Sequence, residues 1–310
     1  MMSQNTKPLE KGKFSFSDIP DQTGKVIVVT GANRGLGFIA TRELAKQNAS
    51  VILACRNVSE AEKIKLKILS INSTAKLDVL ELNLASLQSI NKFAITFKEK
   101  YDKLDVLLNN AGATPRAKVP ANEKTTDGFE YYFGVNHLGT FALTCLLFNL
   151  LLKSPGSRIV TVSSLSHIQG RINFDDLGKK RSIMQLYGQS KLANLLFSYE
   201  LSRKILHQNL DMRSIAVHPG FSLTSLYNPN IFSKLGRKLF AQSAEKGSLP
   251  LLYACVMPDA LNGDYIGPKG FLGLKGAPKR VKSSKRSYNE VDATNLWNIT
   301  EDLVHLHLSL

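Results

Sequence analysis

The stretch KVIVVTGANRGLG, Lys25 to Gly37, decides the fold. Its first half is a short β-branched run, which predicts a buried strand. In the turn that follows, Gly31 allows a tight bend, Gly35 lets backbone amides approach a pyrophosphate, and Gly37 permits close packing of helix on strand. The next helix would add unpaired N–H groups and positive dipole charge, so the stretch predicts a dinucleotide site. The alternative is a glycine-rich turn without a ligand.

Short apolar runs alternate with helical patterns along the rest of the chain. Further strands are predicted at VILA (51–54), LDVLEL (77–82), VLLNN (106–110), RIVTVSS (158–164), SIAV (214–217) and within 265–272. This alternation implies right-handed crossovers and an α/β, Rossmann-type doubly wound parallel sheet with helices on both faces. We expect residues 1–20 to be a flexible lead-in and residues 21–310 to form one domain.

The composition excludes several classes of protein. Apolar residues make up 43% and charged residues 21% of the chain, values that are ordinary for a soluble globular protein. The three distant cysteines argue against a disulfide framework, and no histidine pair has metal-ligand spacing, so we expect no metal. The N-terminus lacks the apolar core of a signal peptide. The longest apolar stretch, Phe141 to Leu152, falls short of the roughly 20 residues that span a bilayer, so it predicts a buried helix in a cytoplasmic protein.

The net charge of +15 has three interpretations. Nucleic-acid binding would need a recognised module, and since none is found we expect no nucleic-acid partner. Attraction to an anionic membrane or substrate competes with a simply solvated basic surface. Two segments concentrate the charge: Ile231 to Phe240 alternates apolar and basic residues, and Lys269 to Arg286 holds seven basic residues and no acidic one.

The end of the second predicted strand indicates which cofactor binds. A dinucleotide fold that prefers NAD places an acidic residue there, on the ribose 2′-hydroxyl. This chain has Cys55 at that position, Arg56 after it, and Arg34 in the glycine turn. Two guanidinium groups without a carboxylate suit a 2′-phosphate, which favours NADP(H). The alternative is that Arg56 is a solvated loop residue.

A third pattern pairs a tyrosine with a lysine four residues later, in LYGQSKLANLL, Leu186 to Leu196. Together with the glycine turn and NNAG (109–112), it resembles the short-chain dehydrogenase/reductase family over nearly the whole chain. The resemblance implies that Tyr187 is the catalytic acid–base and Lys191 its partner. A free phenol titrates near pH ~10, and a nearby ammonium favours its ionised form. Helical spacing of four places both side chains on one face, although two surface residues would show the same spacing.

The resemblance also assigns the remaining site residues. Ser164, rather than the neighbouring Ser163, would hydrogen-bond the substrate oxygen, because adjacent side chains on a strand face opposite ways. Asn136 would hold a water for proton relay, or serve as a helix-kink residue bonded to backbone, or both. The implied cofactor-binding residues are Gly31, Asn33, Arg34, Gly35, Leu36, Gly37, Arg56, Asn83, Leu84, Asn110, Ala111, Gly112, Tyr187, Lys191, Pro219, Gly220 and Thr224.

One residue departs from the family pattern. Asn83 stands where the family usually has an aspartate that accepts from the adenine amino group. An amide oxygen can still accept that bond, so cofactor affinity is in question but the fold is not. His137, His167 and His218 are interpreted as structural or exposed.

The sequences ACRN, DIPDQTGK and SKLAN look like the branch that contains retinol-dehydrogenase-like reductases. Light-dependent protochlorophyllide reductases are relatives of that branch, which makes reduction of a pigment double bond the second reading. That reading is disfavoured because Ala193 stands where they carry a cysteine, and only 22 residues separate Ser164 from Tyr187. A non-catalytic NADP-binding scaffold or sensor is the third reading.

Residues 221–242 are predicted to form a substrate lid. The segment is rich in apolar residues, which suggests a bulky apolar alcohol or carbonyl as small-molecule substrate. Its Lys234, Arg237 and Lys238 could meet an acidic group or make weak peripheral contact with a membrane, or could simply be solvated. The family often forms homo-oligomers, and nothing in the sequence fixes the state of this chain.

Overall fold

The predicted strand–turn–helix unit opens a large sheet. The computed structural model describes residues 14–115, 119, 122–178, 181–223, 242–308 and 310. The strands are β1 Val26–Thr30, β2 Ser50–Cys55, β3 Lys76–Glu81, β4 Val106–Asn109, β5 Ser157–Val162, β6 Met212–Val217, β7 Ser222–Leu223, β8 Gln242–Ser243, β9 Tyr265–Pro268 and β10 Pro278–Arg280. The helices are α1 Gly35–Lys46, α2 Val58–Leu69, α3 Leu87–Lys100, α4 Tyr131–Leu152, α5 Ile183–His207, α6 Ala244–Val256 and α7 Glu290–Val304.

Eight strands form the sheet in the order β10-β9-β6-β5-β4-β1-β2-β3, and β7 pairs with β8 in a separate two-stranded sheet. Neighbours from β3 to β9 are parallel. The strand order reverses between β1 and β4, and such a switch point opens a crevice at the carboxyl ends of the strands. The predicted doubly wound α/β fold is confirmed.

The core lies on both faces of the sheet. Buried side chains of α3, α4, α5 and α7 pack on one face, and those of α1, α2 and α6 pack on the other. Along β1, Val28 faces the first layer while Ile27 and Val29 face the second. This double burial explains why the strands read as continuous apolar runs rather than as alternating ones.

The helix α4 contains the longest apolar stretch. In the described part of the chain it is the one helix long and apolar enough to cross a membrane, but 78% of its most apolar window is buried inside the molecule. A buried helix of a globular core meets the same length and composition criteria. The prediction of a buried helix at 141–152 is confirmed.

The structure differs from the sequence predictions in two places. The flexible lead-in was expected to reach residue 20, but Phe14 and Ile19 are buried in the core. The ring of Phe14 also lies edge-on to that of Tyr253, with 5.2 Å between centroids. The edge strand β10, which runs antiparallel to β9, was not predicted. Both features depend on contacts between distant segments, which short apolar runs do not encode.

A buried carboxylate ties the amino ends of the central strands together. Asp105, just before β4, accepts hydrogen bonds from the Val26 amide and the Lys25 ammonium, each at 2.9 Å. Lys103 lies 3.1 Å from its second oxygen. Burial alone would raise the pKa of Asp105, but these hydrogen bonds outweigh it and hold the pKa below its ordinary value. The ionised carboxylate therefore stabilises the fold.

We expect Asp105→Asn to lower the free energy of unfolding by about 1–3 kcal/mol at pH 7, because the Val26 amide and the two lysines lose a buried, charged acceptor. A carboxyl whose folded pKa is depressed stabilises the fold above its unfolded pKa, and this contribution is lost as the pH falls through the folded value. The difference between the two proteins should therefore shrink below pH about 4. Urea unfolding at several pH values measures it, and a difference constant from pH 7 to 3 would contradict the assignment.

Candidate active site

The predicted site residues gather at the carboxyl ends of β1, β4, β5 and β6, beside the switch point in strand order. The glycine turn connects β1 to α1 there. NNAG follows β4, the two serines follow β5, and Pro219 and Gly220 follow β6. Tyr187 and Lys191 lie on α5, which packs against β5 and β6.

The glycine turn has almost no free space around it. Gly31 and Gly35 have φ values of +67° and +55°, a region that favours glycine. A Cβ on Gly31 would lie 3.1 Å from both carbons of Ala111, and one on Gly37 would collide with the Gly31 carbonyl. These glycines let the turn pack closely on itself and on NNAG at the N-terminus of α1, where the first amides of the helix have no partner within the helix. Such a cradle fits a dinucleotide pyrophosphate.

Thr30 fastens the NNAG segment to this turn. Its hydroxyl accepts from the amides of Asn110 and Ala111 at 2.9 and 2.8 Å, and the Asn110 side chain donates to the Thr30 carbonyl at 2.8 Å. Asn109 is buried and donates to the Thr144 hydroxyl. Asn110 and Ala111 therefore shape the crevice, whatever they contact in a bound cofactor.

Two arginines flank the cradle and are exposed. Arg34 is the N-cap residue of α1, and Arg56 follows β2 directly. Neither forms an ion pair with another residue in the described part of the chain. Cys55 is buried, and burial raises the pKa of its thiol to about 11, so it supplies no negative charge. This edge of the crevice is positive.

Asn83 forms a turn after β3. Its side-chain oxygen accepts a hydrogen bond from the Ala85 amide at 3.1 Å, and its backbone amide donates one to the Ser89 hydroxyl. A carbonyl oxygen has a second lone pair, so the predicted contact with adenine is compatible with this turn. Leu84 is buried in the core, and its carbonyl lies where a Cβ on Gly139 would clash.

Asn136 lies fully buried in a π-helical segment of α4, Gly134–Leu138. Its amide oxygen accepts from the Ala113 amide at 2.7 Å, and its nitrogen donates to the Ala113 carbonyl and the Ser190 hydroxyl. The side chain thus joins the NNAG segment to α5. Asn136 is therefore bonded to backbone where the helix locally widens, which matches the alternative in which it is a helix-kink residue. Its role in a proton relay stays a prediction.

Lys191 is the most deeply buried charged group of the site, with 4% of its surface exposed. Its ammonium donates to the Val162 carbonyl at 3.0 Å and lies 5.8 Å from the centre of the Tyr187 ring. A Cβ on Gly112 would come within 3.4 Å of that ammonium. Burial lowers the pKa of Lys191 to about 8, which leaves it mostly protonated at neutral pH.

The two serines after β5 have different surroundings. Ser163 is buried and donates to the Lys191 carbonyl at 2.8 Å, so its hydroxyl braces α5. The Ser164 hydroxyl is partly exposed and accepts from the Ser166 amide at the start of a short 3-10 helix. The structure therefore leaves Ser164 as the accessible hydroxyl, consistent with its predicted role, which stays a prediction.

Three buried histidines surround the site. His167 hydrogen-bonds the Ser164 carbonyl through Nδ1 at 2.6 Å and accepts from the Ser284 amide through Nε2, so it is neutral with the proton on Nδ1. Burial lowers the pKa of His167. Burial also lowers the pKa of His137 to about 3 and, with the nearby His167, that of His218 to about 4. All three therefore act as neutral structural groups at pH 7.

The loop after β6 is fastened at its base by Gln242, which sequence reasoning named only as the end of the lid. Its side chain donates to the Pro219 carbonyl at 2.7 Å and accepts from the Gly276 amide. Gly220 has a φ of +66°, and the Phe221 amide bonds the Leu274 carbonyl. Thr224 and most of the predicted lid lie outside the described residues.

Sequence reasoning assigned no role to the Val162 carbonyl, Ser163 or Ser190, which hold the lysine, its helix and Asn136 in place. A backbone carbonyl leaves no mark in a sequence, and the serines look like ordinary helix and strand residues. Among the described residues there is no group of three potential metal ligands.

The chain is similar to several known proteins. A family model described as short chain dehydrogenase matches residues 25–231. Retinol dehydrogenase 12 of Mus musculus is 38% identical over 288 residues, covering 91% of this chain and 86% of that protein. Polyprenol dehydrogenase of Danio rerio is 36% identical over 304 residues, covering 94% and 90%.

Two solved structures are also similar. An uncharacterized protein from Mycobacterium paratuberculosis has a TM-score of 0.79 and 35% identity, covering 96% of this chain and all of that chain. A short chain dehydrogenase from Shigella flexneri, complexed with NADP, has a TM-score of 0.63 and 23% identity, covering 79% and 96%. The second likeness concerns the fold alone.

We expect Lys191→Met to stabilise the protein. A folded pKa of about 8 against an ordinary 10.5 corresponds to about 3 kcal/mol against the buried ammonium. This cost is complete below pH 8, and it disappears as the pH rises from 8 to 10.5, where the unfolded chain alone keeps the proton. The stability gain over wild type should shrink across that interval in urea unfolding. Lys98→Met on the exposed face of α3 is the control, and a gain that does not change with pH would refute the assignment.

Proposed function

The chain belongs to the short-chain dehydrogenase/reductase family, and we propose that this oxidoreductase transfers a hydride between NADP(H) and an apolar carbonyl or alcohol with Tyr187 as acid and base. The observation that carries this proposal is the half-buried tyrosine beside a buried, protonated lysine at the switch point of the sheet. The surrounding residues supply each part that such a reaction needs.

The cofactor proposal is supported by the shape and charge of the crevice. Gly31 and Gly37 allow the tight turn that leads into α1, and the α1 amides would face the pyrophosphate. Arg34 and Arg56 would pair with a 2′-phosphate, and no carboxylate follows β2 to compete for the 2′-oxygen. When bound, the nicotinamide ring supplies or accepts the hydride.

Tyr187 performs the proton transfer in this scheme. In carbonyl reduction its hydroxyl gives a proton to the substrate oxygen, and in alcohol oxidation its phenolate takes that proton back. The Lys191 charge favours the phenolate, and the low dielectric around it strengthens this effect. The Ser164 hydroxyl would donate a hydrogen bond to the same substrate oxygen. A lysine pKa of about 8 implies that this support weakens above pH 8.

Asn136 would complete a proton path. Its side-chain amide is engaged with Ala113 and Ser190, so a relay water would bind the second lone pair of its oxygen or a backbone carbonyl of the π segment. Because Gly112 lies against both Asn136 and Lys191, the path would run along the glycine of NNAG.

The substrate proposal is supported by the relatives and by the composition of the lid. Retinol dehydrogenase 12 and polyprenol dehydrogenase are named for long, apolar alcohols, and this chain matches both over nine-tenths of its length. The sequence of residues 221–242 is correspondingly apolar. We propose that the substrate is a bulky hydrocarbon alcohol or its aldehyde and that the protein acts in the cytoplasm. Assembly into a homo-oligomer and a weak peripheral membrane contact of the lid stay predictions.

Turnover by wild type and by Tyr187→Phe tests this function. We expect wild type to oxidise NADPH with members of a panel of apolar aldehydes and ketones, and the variant to be slower by about 10²-fold or more, because it lacks the transferable proton. Fluorescence titration should show equal NADPH binding by both proteins. Equal binding with no turnover of any panel member by wild type would instead support a scaffold or sensor.

Cofactor choice depends on Arg56 in this proposal. Arg56→Asp should reduce the preference for NADPH over NADH by about tenfold or more, since one ion pair with a 2′-phosphate is replaced by repulsion and an acceptor for the 2′-hydroxyl appears. The ratio of kcat/KM values for the two cofactors measures it. Lys98→Asp makes the same charge change on α3 and should leave the ratio unchanged. An unaltered ratio in Arg56→Asp would reject this role.

A further inference from the structure

The β9–β10 hairpin carries the most exposed apolar tip among the described residues. Pro268 pairs with Pro278, and the loop is closed by bonds from the Lys269 amide to the Ala277 carbonyl at 2.8 Å and from the Gly270 amide to the Lys275 carbonyl at 3.0 Å. At its tip Phe271 and Leu272 are 75% and 70% exposed. Leu272 has a φ of +52°, so a closed loop holds an apolar residue outward in a backbone region that leucine rarely adopts.

Basic residues surround this tip. From Tyr265 to Asn289 the sequence contains seven lysines and arginines and no acidic residue. Arg280 is paired with Asp264. Lys279, Lys282 and Lys285 are exposed, and none of the three forms an ion pair with a described residue. Their charge is therefore directed to solvent.

A cavity shows that the apolar and basic groups share one side of the molecule. Leu272 and the half-exposed Ile168 line a cavity of about 320 Å³ together with Lys269 and Lys282. His167 also lines it, and that imidazole holds the Ser164 carbonyl. The cavity thus connects the basic, apolar surface with the turn that carries the predicted substrate-binding serine.

We propose that this hairpin docks on the surface of an anionic lipid bilayer, with Phe271 and Leu272 entering the interface and Lys279, Lys282 and Lys285 meeting the headgroups. An apolar tip with a basic collar is complementary to such an interface, where apolar side chains leave water and lysines remain at the charged surface. The exposed pair is contiguous, unlike isolated exposed residues such as Ile71 and Leu206, which need no explanation.

Other occupants match this surface less well. A second copy related by a two-fold axis would place the same basic patch against itself, which like charges oppose. A nucleic acid would match the charge but would leave the outward-held Leu272 without an apolar partner.

Docking would place the cavity mouth at the surface where apolar alcohols partition. That consequence rests on the proposed function, but the docking itself does not, so it is tested without substrate or cofactor. The full chain is sedimented with extruded vesicles of phosphatidylcholine, alone or mixed with phosphatidylserine, an anionic lipid of cytoplasmic leaflets. We expect binding to the anionic vesicles that is at least about tenfold stronger and that falls with added salt.

Paired variants locate the contact. Phe271→Ser with Leu272→Ser, and separately Lys279→Glu with Lys282→Glu, should each weaken binding to anionic vesicles about tenfold or more. Ile71→Ser with Leu206→Ser is the matched apolar control, and Lys92→Glu with Lys98→Glu on α3 is the matched charge control. Both controls should bind as wild type does.

Three results would overturn the proposal. Normal vesicle binding by the hairpin variants would show that the membrane contact lies elsewhere in the chain, for example in residues 224–241. An equal loss of vesicle binding in the charge control would show that binding depends on net charge and not on the hairpin. The third result is that wild type does not bind vesicles. If the hairpin variants then lose a dimer in sedimentation velocity, the surface belongs to a second copy of the chain. If they instead lose binding to duplex DNA, it belongs to a nucleic acid.

Discussion

The site depends on one buried charge. The ammonium of Lys191 is removed from water and held by the Val162 carbonyl, and burial alone lowers the pKa of this lysine to about 8. The fold gives up stability to keep this group, since an apolar side chain of similar size would fit such a position at less cost. In the proposed reaction, the same low-dielectric setting would strengthen the effect of this charge on the Tyr187 phenol. Gly112 is glycine because any side chain would press on this ammonium and on Asn136.

The fold could be predicted from the sequence because short segments carry the patterns that identify this architecture. Strands such as β1 are buried on both faces, and Ile27, Val28 and Val29 are fully inaccessible, so each strand appears as an unbroken apolar run. The glycine turn and the tyrosine–lysine pair are equally local, since each depends on spacing within one turn or one helix. The placement of Ser163 and Ser164 on opposite sides agrees with simple alternation along a strand.

The parts that were not predicted arise from contacts between distant segments. Asp105 looks like a loop residue in the sequence, yet it binds groups about 80 positions earlier and buries its charge among them. The Val162 carbonyl is backbone, so no residue type marks it as the acceptor for the lysine. Phe14 precedes the first recognisable pattern, and only the presence of Tyr253 on α6 shows that the fold includes it. Local propensity carries no information on such pairings.

Gln242 links features that the sequence presents as separate. Its side-chain nitrogen donates to the Pro219 carbonyl, and its side-chain oxygen accepts from the Gly276 amide. The loop after β6 and the β9–β10 hairpin therefore share one buried side chain. The backbone of β8 also pairs with β7, which places Leu223 beside Ser243. Two hydrogen bonds of one side chain therefore hold the loop after β6 against the hairpin.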